Sequence, residues 1–163
     1  MMKNKMKYVI VAGIVAIIIL VAFMLYSFKE EGRENELSVD AMYLLKEEGK
    51  GETMNASAII YLTNVGGESG NIKIIAYLME RWKGVAVARN EVKIGKIAAD
   101  KTKEVQIPME MRNKSYEIEV LVFEDDLLKI KGGGALRIIH YSVDNKVYWD
   151  ASLEEVHFEK VHQ

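Results

Sequence analysis

No cysteine occurs in this 163-residue sequence, and only one proline. Without cysteine there is no disulfide framework, so stability has to come from a buried core. Pro108 cannot donate to a sheet ladder and therefore marks an edge strand or a strand end. Histidine is scarce as well. His140, His157 and His162 include no pair at helical i, i+4 spacing, so the ligand spacing of a metal centre is absent. No serine sits in a nucleophile elbow or a Ser-x-x-Lys context. The glycine run Gly132–Gly134 leads into Ala135 and Leu136 rather than the Lys-Ser/Thr of a phosphate loop. Catalysis and a bound cofactor are not expected.

A third absence is local. Tyr8 to Phe28 contains no charged residue over 21 positions and is built mainly from Ile, Val, Ala, Leu and Phe. At about 1.5 Å per residue a helix of this length spans the roughly 30 Å hydrocarbon core of a bilayer. A secretory signal would have a shorter apolar region ending in small residues, whereas this one ends in Phe23, Met24, Leu25 and Tyr26. Lys3, Lys5, Lys7 and the amino terminus precede the run, and only Lys29 and Arg33 follow it closely, so the positive charge predicts a cytoplasmic N-terminus. The expected organisation is a basic cytoplasmic segment 1–7, a single-pass anchor 8–28, a charged tether 29–36, and an extracytoplasmic domain 37–163 at the cell membrane. Ala12, Gly13 and Ala16 place small residues where a second helix packs closely.

The charge balance narrows the partners. Setting aside Lys3, Lys5 and Lys7 leaves 19 basic residues against 24 acidic ones, a net of −5. An acidic surface of this kind disfavours nucleic acid and anionic lipid headgroups as main partners.

From Leu37 onward apolar residues alternate with polar ones, the period-2 pattern of half-buried strands. Met54, Ala56, Ala58, Ile60 and Leu62 share one face, as do Ile72, Ile74, Ala76 and Leu78, and again Tyr116, Ile118, Val120 and Val122. Glu117 and Glu119 point the other way, which is how an antiparallel sheet with one wet face reads. Strands are predicted over 37–45, 53–63, 71–80, 85–94, 102–109 and 115–124. A further strand spans 127–131 and continues through 135–143, followed by 146–150 and 153–161. Turn residues separate them: Lys46–Gly51, Asn64 to Gly70, Lys83-Gly84 and Asp125-Asp126, with Gly132–Gly134 as a bulge or bend. About seven to nine strands at this spacing predict an all-β antiparallel sandwich.

The order of these segments carries a resemblance. A strand ending in Asn64-Val65-Gly66 is followed by Ile72 to Leu78, by Val92, Ile94, Gly95 and Ile97, and by Thr102 to Ile107. The Tyr-x-Ile-x-Val-x-Val strand from Tyr116 to Val122 comes next. Over residues 53–139 this resembles the CARDB-type cell-adhesion-related modules and the archaeal membrane-anchored surface domains similar to them. The resemblance implies an immunoglobulin-like sandwich, tethered by one helix or strung in tandem, with no shared catalytic residues. The chain departs from that pattern at Asp100-Lys101-Thr102, where a glycine turn is more typical, and from His140 onward. The Lys-, Glu- and Ile-rich composition suits a thermophile.

Several side chains remain as candidates. Asn113 in Asn113-Lys114-Ser115 and Asn55 in Asn55-Ala56-Ser57 are glycosylation sequons, Asn113 in a predicted turn and Asn55 in a strand. Trp82 at a hairpin tip is a contact aromatic or folds back over the end of the sandwich. Met109 and Met111 suit a soft ion such as Cu(I) or, on one strand face, the core. Glu124, Asp125 and Asp126 lack the spacing of a calcium loop and read as a solvated hairpin tip. The expected function is a non-enzymatic module contacting an envelope protein or glycan. The alternative is an accessory or chaperone-like subunit that uses the anchor helix as contact, and a third reading is a ligand-binding or enzymatic domain.

Overall fold

The computed structural model describes residues 17–22, 24, 34–47, 52–144 and 146–161. The chain forms two compact units, residues 1–34 and 35–163. In the first, residues 17–22 and 24 are helical. Ile17 to Val21 are all exposed, a full turn of uncovered aliphatic side chains. Among the described residues no helix is long and apolar enough to cross a membrane. Most of the expected span 8–28 lies outside them, as do residues 1–7 and 29–33.

The second unit is all-β. Its eight strands are β1 (Glu36–Lys46), β2 (Thr53–Val65), β3 (Ile72–Glu80), β4 (Val85–Gly95), β5 (Lys101–Arg112), β6 (Tyr116–Glu124), β7 (Leu127–Val143) and β8 (Lys146–Lys160). They form a three-stranded sheet, β1-β2-β5, and a five-stranded sheet, β4-β3-β6-β7-β8. Every pairing is antiparallel. The predicted sandwich is therefore present, and the inward faces are the ones the alternation marks. Ala58, Ile60, Leu62, Ile74, Ile107, Val120 and Val122 are fully buried between the sheets. Each such side chain contributes roughly 1.5–3 kcal/mol of transfer free energy.

Two boundaries differ from the sequence expectation. The segments 127–131 and 135–143 are one 17-residue strand, and 146–150 and 153–161 are one 15-residue strand. The tail after His140 thus completes the sheet. The glycine triplet bends the ribbon without breaking it: the register shifts between Gly133 and Ala135, opposite a left-handed Glu155. Asp125 and Asp126 both have positive φ, the geometry of a two-residue hairpin whose twist suits the flanking strands. Glu124 beside them is not solvated. It is buried, and its carboxylate accepts hydrogen bonds from the Gly70 backbone N–H at 2.7 Å and from Asn35.

Ion pairs bind the sandwich at several places, and four of them depress a carboxylate. Hydrogen bonds from Lys160, Arg89, Lys73 and Lys46 hold Glu36, Glu91, Asp126 and Asp150 respectively below their ordinary values. A depressed folded-state pKa stabilises the fold above the unfolded-state carboxylate range and ceases to do so as pH falls through the folded value. The melting temperature is therefore expected to stay level from neutrality down to about pH 5 and to fall below it. A melting temperature that rises on acidification would contradict this pairing.

Candidate functional site

Three features stand out on the surface of the sandwich. The first is a cleft of about 750 Å³ on the open side of the sandwich, between β4 of one sheet and β5 of the other. Ala56, Ala88, Met109 and Tyr116 contribute apolar surface, while Glu80, Glu110, Arg112 and Lys114 supply charge. Asn90 bridges the gap by donating from Nδ2 to the Pro108 carbonyl at 2.8 Å. Pro108 itself sits on β5, an edge strand, as its missing N–H requires.

Glu80 is the most enclosed carboxylate of this cleft. Burial pushes its pKa up, but hydrogen bonds from Lys114 and Lys83 outweigh that and hold it below the ordinary value. Lys114 Nζ lies 3.2 Å from both carboxylate oxygens, and Lys83 Nζ 3.4 Å from one. A general acid at neutral pH needs its pKa raised. Glu80 is tuned in the opposite direction.

The second feature is a ribbon. β6 pairs with β7 only as far as Leu136, whereas β7 and β8 stay paired to Val143 and Lys146. Seven residues of β7, 137–143, thus run on as a two-stranded arm, roughly 23 Å at strand rise. One face of the arm packs home, with Ile138 and Trp149 against the core and Ala151 buried. His140 lies against Trp149, ring centres 4.4 Å apart. The other face is open. Tyr141 and Tyr148 stack at 5.5 Å with 16° between their planes, and Ile139 and Val143 flank them, all exposed. The arm occupies the end of the sandwich opposite Asn35, because β1 starts where β7 starts and Lys46 at its far end meets Asp150 on the arm.

The third feature is a shallow trough over Gly132–Gly134, walled by Glu117, Glu119, Lys131, Glu155 and His157. Here packing dictates glycine. A Cβ on Gly133 would fall 1.8 Å from the Ile118 carbonyl oxygen.

The residues singled out from sequence fall as follows. Trp82 does not fold back: it is 84% exposed, on the β3–β4 hairpin. Asn113 is exposed in the β5–β6 turn, which the Arg81 N–H to Ser115 carbonyl bond ties to that same hairpin. Trp82 and the Asn113 sequon therefore share one end of the sandwich. Asn55 is on β2, exposed at the cleft, while Ser57 of its sequon is fully buried. Met109 and Met111 both point into the core, and His162 lies outside the described residues. His140 and His157 are on β7 and β8. Among the described residues no group of three or more metal-ligating side chains converges. The stacked tyrosines were not anticipated. Their signal was available as Tyr141 and Tyr148, each two residues from its strand end at Val143 or Lys146, once β7 and β8 are known to pair.

Tyr116 plays a part that alternation does not announce. It opens β6, its ring is buried, and its hydroxyl oxygen accepts from the Arg112 backbone N–H at 3.1 Å, pinning the β5–β6 corner. Tyr116→Phe is expected to lower stability by about 1 kcal/mol, measured by denaturant unfolding. Trp82→Ala, with nothing to unpack, is expected to change it by less than about 0.5 kcal/mol.

Residues 36–133 match the family described as Domain of unknown function (DUF7490). The chain belongs to that family. The family segment ends at the glycine triplet, so the arm and β8 follow it. No curated protein matches. Solved structures with similar folds include a β-glucuronidase from glycoside hydrolase family 2 (14% identity, TM-score 0.53, covering 62% of this chain and 11% of that one). A glycosyl hydrolase family 2 member from Bacteroides cellulosilyticus DSM 14838 is similar at 14% identity and TM-score 0.53, over 69% of this chain and 17% of that one. Bacteroides uniformis β-glucuronidase 2 is similar at 10% identity and TM-score 0.55, over 68% and 15%. The chain spans under a fifth of the length of each of these proteins, and the likeness is one of fold.

Proposed function

We propose that this chain is a non-enzymatic interaction module: an immunoglobulin-like sandwich held outside the cell membrane by an N-terminal single-pass helix, contacting an envelope protein or glycan. The observation that carries the reading is the arm. Soluble surfaces rarely keep a row of tyrosine and aliphatic side chains uncovered, and rigid aromatics of this kind are the usual anchors of binding interfaces.

Strand order supports the immunoglobulin-like reading. Three strands, β1-β2-β5, face a sheet in which β3 and β6 are central neighbours, with β8 added at the margin. Tyr116 reaches back across the β5–β6 corner as the tyrosine corner of such sandwiches does. The anchor is supported by the charge-free run 8–28 and by the exposed aliphatic turn Ile17 to Val21, which suits lipid on every side. The lowered pKa of Glu80 supports a domain without acid–base chemistry in its cleft.

The test is made in intact cells of the native host. A photo-crosslinker at Tyr141 is expected to capture one discrete envelope partner, and the same probe at Asp126, at the other end, none. Protease added outside should remove C-terminal epitopes. Epitopes protected in intact cells would refute the topology, and equal capture at both positions would refute the arm as the contact.

A further inference from the structure

We propose that β4 is a self-pairing edge, which joins a second copy of this chain antiparallel about Asn90. Four strand edges border the two sheets: β1, β5, β4 and β8. Three are spoiled as templates for another copy. β1 carries no charge between Asp40 and Lys46 with which to fix a register against its copy, and β5 lacks the N–H of Pro108. β8 is kinked at the left-handed Glu155, and Glu154, Glu155 and Glu159 would set like charges together in a self-paired ladder.

β4 differs in its charge order. Its pairing to β3 is regular from Ala88 to Lys93, between one irregularity at Val87 and another at Ile94. Arg89, Glu91 and Lys93 lie on the outer face and Ala88, Asn90 and Val92 on the inner one, following the alternating exposure. A two-fold axis perpendicular to the sheet keeps outer residues opposite outer residues, so β4 can slide against its copy only in steps that preserve the face. With the axis at Asn90, Arg89 stands opposite Glu91 of the partner subunit, and Glu91 opposite Arg89 of the partner subunit. Ala88 then meets Val92 of the partner subunit on the inner face. Moving the axis to Arg89 sets arginine against arginine. Moving it to Glu91 sets glutamate against glutamate and Arg89 against Lys93 of the partner subunit. One register is attractive and its two neighbours are repulsive, which is how a sequence specifies a pairing.

The site is prepared for this. Arg89 Nη2 already holds Glu91 Oε2 at 2.7 Å, so the charges of each copy are aligned on one face before they meet. Val85 and Val87, 56% and 51% exposed, continue the same edge without a charge to protect it. β4 also forms one wall of the cleft, through Val87, Ala88 and Asn90. A strand added beside β4 lies along the cleft's open side and narrows it. The inference is independent of the anchor and of the arm.

The experiment uses the full-length chain in detergent micelles, with mass measured by sedimentation. A dimer is expected, weakened at least about tenfold by Arg89→Glu, since two reciprocal attractive pairs become repulsive. The double exchange Arg89→Glu with Glu91→Arg should restore it. Because the chain has no cysteine, Asn90→Cys introduces a lone thiol that meets its own copy at the axis. Mild oxidation should link it as a covalent dimer, while Val87→Cys, displaced along the strand, should not link. A monomer at all concentrations would overturn the proposal. So would a dimer that is indifferent to Arg89→Glu, or cross-linking at Val87 in place of Asn90.

Discussion

Gly133→Ala is expected to cost roughly 4 kcal/mol of folding stability, and Gly133→Val more, as the midpoint of denaturant unfolding will report. The new Cβ would fall 1.8 Å from the Ile118 carbonyl oxygen, 2.9 Å from the Ile118 carbonyl carbon, and 3.2 Å from the Glu119 Cα. All three are backbone atoms of β6, so no side chain can swing away. Relief requires β7 to leave β6, the pairing that connects the arm and β8 to the rest of the five-stranded sheet. Gly84 separates this from simple backbone strain. Its φ is also positive, but nothing lies within 4 Å of a Cβ there. Gly84→Ala should therefore cost only about 1 kcal/mol, the penalty of a left-handed alanine. Equal losses at the two glycines would show that conformation, not crowding, governs Gly133.

Asn64→Ala comes next, at about 2–4 kcal/mol, and should loosen one end of the sandwich ahead of global unfolding. Asn64 is fully buried at the end of β2, with its Nδ2 within 2.7 Å of the Gly67 carbonyl oxygen, 3.0 Å of Ile97 and 3.2 Å of Ala98. One amide therefore ties together the β2–β3 and β4–β5 connections, both of which cross between the sheets. Removing it takes a donor from all three carbonyls and leaves the buried Ile97 oxygen with the Ser69 N–H alone, so the loss exceeds that of a single exposed bond. Hydrogen exchange should reveal the loss first at the Ser69 amide, which donates to Ile97 across the same gap. Unchanged protection there, with the full stability loss, would mean that Asn64 acts on the core rather than on the loops.

Asn64 also shows how much of the molecule was legible beforehand. The Asn64-Val65-Gly66 step is readable as the end of a strand, and so it is. Its purpose is not readable, because two of the three carbonyls it serves, those of Ile97 and Ala98, lie more than thirty residues along the chain. The departure at Asp100 has a similar answer. Asp100 stands with φ of +54°, where a glycine is typical, and its carboxylate accepts the Gly66 N–H at 3.0 Å. Aspartate tolerates the left-handed region and brings an acceptor that glycine lacks. Glu124 was misjudged for the same reason. Its neighbours in sequence are exposed turn residues, while its hydrogen-bond partners come from Gly70 and Asn35.

The candidate surfaces divide in the same way. Trp82 was visible as an aromatic in a tight turn, and Asn113 as a sequon in another, because both are local. The arm was not. Tyr141 and Tyr148 are seven positions apart, and only continuous pairing of β7 with β8 past the end of β6 stacks them in the open.

By itself, then, the amino-acid order determined which faces of the strands are apolar, where turns interrupt them, and that a charge-free run precedes the domain. These follow from side-chain alternation and turn chemistry, which act over a few residues. The tertiary structure decided which strands are neighbours, which edges are left uncovered, and which glycines are trapped between backbones. Those depend on contacts between distant segments, and the pattern within one segment holds no record of what it will meet.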